Sequence, residues 1–281
     1  MTTLAAPLPV RRAPMTRVLR SELRMVLRRP RTLIGLGLLA LVPVVMGIGI
    51  SIAASDSSSG AEGMAALVVG NGMLLPIFAL SIAVVMLLPL TGAMLAADAL
   101  AGESAHGTLR GLLMAPVGRG RLLAVKAFGV AAVTLLAVVM MAITGIITGV
   151  ALLGGSGMLT ASGTTLSFVD ALGRVAVTVV FVAIQVWAVA AIAMAVSAYT
   201  EHPLIVVVVT LGVIIVSGVL SSIPALDWLR PVLIVTSWDA ISEVIVDPLS
   251  WRPLVEGTLR ALCYLAIGGS IAFSRMLTRD G

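Results

Sequence analysis

The chain has 281 residues, of which 59% are hydrophobic and 11% charged, and its mean hydropathy is +1.15. Soluble domains carry about 25% charged residues, so a soluble globular enzyme is excluded, and the unbroken apolar runs exclude an outer-membrane barrel built from alternating strands. The single cysteine, Cys263, excludes an intramolecular disulfide and a multi-cysteine metal site; the net charge of +5 matters less than where the charges lie.

Residues 15–29 have helical spacing. Met15, Val18, Leu19, Leu23, Val26 and Leu27 fall on one face; Arg17, Arg20, Arg24, Arg28 and then Arg31 recur on the other. The pattern predicts an amphipathic elbow helix in the inner membrane interface, its arginines near anionic headgroups. Pro30 then turns the chain into the membrane. Nucleic acid is a poor partner for this cluster, because a membrane span begins directly after it.

Charged residues are absent from 32–55, 63–97, 127–169, 175–200, 202–226 and 261–274. A segment in hydrocarbon must satisfy its backbone polar groups internally, so each gap reads as a helix. Six transmembrane helices are expected at Thr32–Ala54, Met73–Ala97, Leu122–Leu153, Val169–Ala198, Pro203–Ser221 and Leu254–Arg275. Two of them exceed ~25 residues and should tilt or project. Pro76 and Pro89 are placed to kink the second. The first apolar run, about 23 residues, is longer than the apolar core of a signal peptide and reads as a retained span.

Lysine and arginine give the orientation. Fourteen of the 18 lie before the first span, between spans two and three, or after the sixth; Arg174, Arg230, Arg252 and Arg260 lie on the other side. The positive-inside rule puts both termini of this multi-pass protein in the cytoplasm.

The cytoplasmic segment 98–121 carries the most information. Asp98 and Glu103 end a helix, Gly107 interrupts it, and Thr108–Met114 can form a short helix with Leu109, Leu112 and Leu113 on one face. Pro116 ends that helix. Leucines pushed out of the membrane into water need a partner surface. The next cytoplasmic turn, Tyr199–Pro203, is read as a secondary contact with the same partner.

The spans hold few polar groups. Gln185, near the middle of span four, and Asn71, near the outer start of span two, are candidates for a pathway or for helix packing, with packing favoured for Gln185. Asp170 and Arg174 are spaced as an ordinary i,i+4 helical pair. His106 and His202 lack metal-ligand spacing. Gly154-Gly155-Ser156-Gly157 superficially matches a serine-nucleophile signature, but it lies outside and both histidines inside, so it reads as a loop. In the outer segment 221–254, Ile234, Trp238, Ile241 and Ile245 share a face opposite Asp239, Glu243 and Asp247. Short helices resting on the outer leaflet are expected there, with the acids as a solvated stripe and a gating role open to the helices.

The segment 98–121 resembles the first cytoplasmic loop of the membrane subunits of type-2 ATP-binding-cassette exporters. That family's pattern is an acid, three residues, Gly-Thr, a leucine-rich turn, Pro and then Arg. Here it reads Glu103, Gly107, Thr108, Leu109, Arg110, Leu112, Leu113, Pro116, Val117 and Arg119, with Lys126 opening span three. Ala115 and Gly118 stand where the family often has serines. The elbow, six spans and helical excursion between spans five and six match the family's layout. The resemblance implies that this loop is a coupling helix docked on a cytosolic ATPase, present in two copies. It further implies pairing with a second permease half, a copy of this chain or a paralogue.

The chain's one lysine, Lys126, is followed by Ala127 and not by the Ser or Thr of a phosphate-binding loop. No enzyme activity and no catalytic, cofactor or metal residues are therefore assigned; ATP and Mg would be bound by the partner. No span centre holds a carboxylate, histidine or lysine, which disfavours an ion-coupled secondary carrier. No internal repeat supports an inverted-repeat carrier. Residues 1–281 thus read as one permease domain of an all-α membrane protein. Its expected role is export of a hydrophobic or amphipathic substrate (a lipid, drug or secondary metabolite) from the cytoplasmic membrane of a bacterium, whose high-GC coding is hinted at by the Arg, Ala, Val and Gly bias. The remaining alternative is a non-transporting scaffold for a soluble partner.

Overall fold

Each apolar gap contains a long helix or a bent helix pair among the described residues. The computed structural model describes residues 14–55, 68–102, 118–155 and 157–278. Among these, five helices are each long and apolar enough to cross a bilayer, and a bent pair, taken as one span, brings the number to six. Helix α1 (Met15–Leu27) precedes the first pass, α2 (Pro30–Ser55). The second pass joins α3 (Leu75–Val85) to α4 (Leu87–Ala97). The remaining passes are α5 (Arg119–Thr148), α6 (Phe168–Tyr199), α7 (Pro203–Ser221) and α8 (Trp251–Thr278). The protein is an all-α membrane bundle apart from one small hairpin, β1 (Met158–Leu159) with β2 (Thr165–Leu166), paired Met158 to Leu166.

Local chemistry sets the helix boundaries. Pro30 and Pro203 open α2 and α7 at positions where a backbone N–H would have no intrahelical partner. Ser167 caps α6: its Oγ accepts the Asp170 N–H at 3.2 Å and donates to Asp170 Oδ2 at 2.6 Å. Of the two prolines expected to kink the second pass, only Pro89 does so. Pro76 sits in the first turn of α3, where it breaks nothing. The chain leaves helical geometry at Met86 (φ −146°, ψ −45°), and the halves meet at 54°. Pro89 has no N–H for the Val85 carbonyl and crowds it, so the helix breaks just ahead of the ring.

Helix α6 is the central pillar: 61% of its apolar window is buried, against 22% for α7 and for α8. Its longest contact is with α8. Without water to drive apolar association, helices in a bilayer gain most from close approach, which small residues permit. A Cβ on Gly149 would lie 2.0 Å from the Gly72 carbonyl oxygen, and one on Gly145 would lie 2.8 Å from Pro76 Cα. Between α6 and α8, a Cβ on Gly268 would lie 2.7 Å from the Ala191 carbonyl.

The end of the bundle opposite α1 departs from expectation in two ways. Asp170 and Arg174 do not pair. Asp170 is taken by the α6 cap, and Arg174 Nη2 instead contacts Asp247 Oδ1 at 3.1 Å while Nη1 donates to the Val246 carbonyl at 3.0 Å. A capping serine and the carbonyl-rich end of a neighbouring helix offer each residue a better partner than the other does. Second, the 3-10 helix Val235–Ile245 turns its apolar face into the bundle. Trp238, Ile241 and Ile245 on it, with Ile234 before it, are buried in the main core. Arg260 of α8 holds it, donating to Thr236 Oγ1 at 2.5 Å and Ser237 Oγ at 3.2 Å. Trp228 and Trp251 remain exposed, as the interface reading of tryptophan requires.

The glycine seam yields a test. Gly149→Ala must push α5 away from the backbone at Gly72, at a cost of about 1–3 kcal/mol, and should lower the thermal midpoint of the detergent-purified protein. Gly212→Ala on α7, where an added Cβ meets nothing within 4 Å, should leave the midpoint unchanged.

Candidate functional site

The loop residues singled out by sequence, Glu103, Gly107, Thr108, Leu109, Arg110, Leu112, Leu113 and Pro116, lie outside the described residues. What the structure gives is the two roots from which that segment leaves the bundle and the groups that hold them.

The incoming root is the wide π-helical turn Asp98–Gly102 at the end of α4. Asp98 Oδ2 pairs with Arg31 Nη2 of α2 at 2.5 Å. The Ala101 N–H donates to Ser197 Oγ of α6 at 3.0 Å, and that hydroxyl faces the Ala97 carbonyl at 3.5 Å. Ser197 is fully buried, so one side chain of the central pillar serves backbone groups that the wider turn leaves unpaired.

The outgoing root is the start of α5. Arg119 Nη1 donates to the Leu277 carbonyl of α8 at 2.8 Å, and Gly120 lies beneath the Phe273 ring. Two turns on, Lys126 Nζ lies 3.0 and 3.2 Å from the two carboxylate oxygens of Glu22 on α1. Lys126 is 3% exposed and Glu22 8%. Gly129 makes room for this contact: a Cβ there would sit 3.2 Å from Glu22 Cγ.

Helix α1 therefore has a basic outer face and an ion-paired inner one. Arg17, Arg20, Arg24 and Arg28 are exposed, while Val26 and Glu22 are buried against the bundle. Sequence reasoning places Lys126 at the head of a span and assigns Glu22 no role. A signal was present nonetheless. Glu22 is the only acid in 15–29, it stands on the apolar face, and Lys126 is the only lysine in the chain. Two isolated opposite charges in apolar surroundings are each untenable alone.

The two intramembrane polar candidates make internal hydrogen bonds to backbone. Gln185 Nε2 donates to the Gly257 carbonyl of α8 at 3.1 Å. Asn71 Nδ2 donates to the Leu159 carbonyl of the hairpin at 2.7 Å. Each is almost wholly buried. Among the described residues, no group of three or more His, Cys, Asp or Glu side chains is placed to hold a metal ion.

Both roots are thus fastened to α1, α2, α6 and α8, so a force on the segment between them reaches most of the bundle. Buried pairs of this kind are costly to break by removing one partner, about 3–5 kcal/mol. Lys126→Met and Glu22→Met should each destabilise the detergent-purified protein strongly. The double variant should recover most of the loss, read as a thermal midpoint nearer wild type than either single change.

The sequence model of the ABC-2 family transporter proteins matches residues 16–241, from α1 through the outer 3-10 helix and across both roots. No curated protein matches the chain.

Proposed function

The chain belongs to the ABC-2 family of transporter proteins, and on that premise we propose that it is the permease subunit of an ATP-driven exporter worked by a separate cytosolic ATPase. The observation that carries the reading is the family match itself, which spans the segment 98–121 and its anchored roots. Two ATPase subunits would dock on Thr108, Leu109, Leu112 and Leu113, with Glu103, Gly107, Arg110 and Pro116 shaping and positioning that turn. ATP and Mg would reside in those subunits. A second permease half, identical or paralogous, completes the pathway, and a hydrophobic or amphipathic substrate leaves between the halves.

The charge distribution supports the orientation. Arg17, Arg20, Arg24 and Arg28, the roots of segment 98–121 and the end of α8 share one end of the bundle; by the positive-inside rule that end is cytosolic and both termini lie there. The membrane is then a bacterial cytoplasmic membrane. Closure of the ATPases would push on the segment, and the Arg31–Asp98, Ser197–Ala101 and Glu22–Lys126 contacts would carry the displacement to α2, α6 and α1.

Leu112→Ala combined with Leu113→Ala should abolish co-purification of the ATPase encoded beside this chain. It should also abolish ATP-dependent transport in inverted vesicles while leaving the permease folded and inserted. Retained co-purification would overturn the docking assignment, and transport that collapses with the ion gradients would overturn the ATP-driven one. Orientation has its own check. A cysteine at Glu201 should react with an impermeant maleimide only in inverted vesicles, and one at Ser162 only in right-side-out cells.

A further inference from the structure

A cavity among the described residues lies away from the anchored roots' ion pairs. It is an apolar groove of about 590 Å³ between α5, α6 and α8, and no residue of α2, α4 or α7 lines it. Small residues line much of it, among them Ala124, Ala131 and Gly269. Phe128, Gly269 and Phe273 on its margin are exposed, so it opens sideways to the surrounding lipid.

Its length and ends identify an occupant. Along α5 the groove runs from Gly120 to Ala131, about 16 Å at the helical rise per residue. That equals about half the ~30 Å hydrocarbon core, the depth of one leaflet. At the mid-membrane end Trp187 closes it, with its Nε1 donating to the Ala131 carbonyl at 3.1 Å, so the indole presents only apolar surface to the groove. At the other end stand cations. Arg119 adjoins Gly120, and Arg275 lies one turn beyond Ala272. The Arg275 guanidinium stacks over Tyr199 at 5.1 Å, and its buried Nε has no hydrogen-bond partner. An anionic headgroup at the membrane surface matches that rim, and an acyl chain matches the groove.

We propose that this groove is a selective site for an anionic phospholipid of the arginine-rich leaflet, one acyl chain lying along α5 beneath Trp187 and the phosphate held at Arg119 and Arg275. The lipid fastens α5, which begins at the outgoing root, to α8. The site rests on the membrane depth of α5, α6 and α8 and not on ATPase docking, so a failed transport assay leaves it untouched.

Trp187 supplies the readout. The purified chain is reconstituted in phosphatidylcholine vesicles containing a small mole fraction of lipid brominated on its acyl chains, either phosphatidylglycerol or phosphatidylcholine. The Trp187 signal is the difference from the Trp187→Phe protein. Brominated phosphatidylglycerol should quench it at a mole fraction lower by about fivefold for each contributing arginine. Gly269→Leu should remove that saturable quenching without disturbing the fold, because Gly269 lines the groove and a Cβ added there meets nothing within 4 Å. Arg119→Gln with Arg275→Gln should make the two headgroups equivalent, whereas Arg17→Gln with Arg24→Gln on the elbow should not. Equal quenching by both lipids in the unaltered protein, or quenching insensitive to Gly269→Leu in a protein that retains its helical circular dichroism, would overturn the site. Loss of the preference through the elbow arginines would do the same.

Discussion

In the hydrocarbon core of a bilayer a backbone N–H or C=O has no water to bond, and apolar surfaces gain nothing by leaving lipid for one another. Both halves of that constraint are visible here. The first makes every pass a helix and allows departures from α-helical pairing only where protein covers them, as at the wide π-helical turn Asp98–Gly102, whose Ala101 N–H finds Ser197. The second makes cohesion depend on how near two backbones can come. Gly72 against Gly149, Gly145 against Pro76 and Gly268 against Ala191 are the places where an added methyl group has no room. Removing side chains at those points lets dispersion and backbone contact do what the hydrophobic effect does in a soluble core.

The same constraint sends nearly all charge to the two ends of the bundle, and the ends are built differently. Opposite α1, arginines of the spans grip a short helix: Arg174 takes the end of the 3-10 helix at Val246 and Asp247, and Arg260 takes its beginning at Thr236 and Ser237. These contacts hold a buried element in place. At the arginine-rich end, opposite charges from separate helices join the roots of a loop to the bundle: Arg31 to Asp98 and Glu22 to Lys126. The first pair is partly exposed and the second buried, so they differ in strength. The exposed pair is screened and modest, while the buried one cannot be opened cheaply. Together the two pairs tie both ends of the segment between α4 and α5 to the rest of the bundle.

Much of this was legible beforehand. The lengths of the uncharged gaps and the arginine periodicity of 15–29 suffice to place six passes and α1 within a few residues, because helix length is dictated by bilayer thickness and amphipathicity by a flat interface. The leucine-rich loop with its Gly and Pro punctuation falls within the ABC-2 family match but outside the described residues. The partnering of side chains was less accessible. Asp170 and Arg174 have ideal spacing for each other, yet the cap at Ser167 and the carbonyls at Val244 and Val246 claim them. Trp238 has the composition of an interfacial residue, yet it is buried in the core.

What the amino-acid order determined alone is therefore whatever depends on one segment and its solvent: the helices, their approximate ends and the gathering of charge beyond them. What required the folded chain is whatever depends on two distant segments competing for one partner. Glu22 and Lys126, 104 residues apart, meet only because α1 lies along α5. The groove beneath Trp187 exists only because three helices diverge around small side chains. Neither follows from any single helix, because a helix's own geometry leaves open which of its faces another will cover.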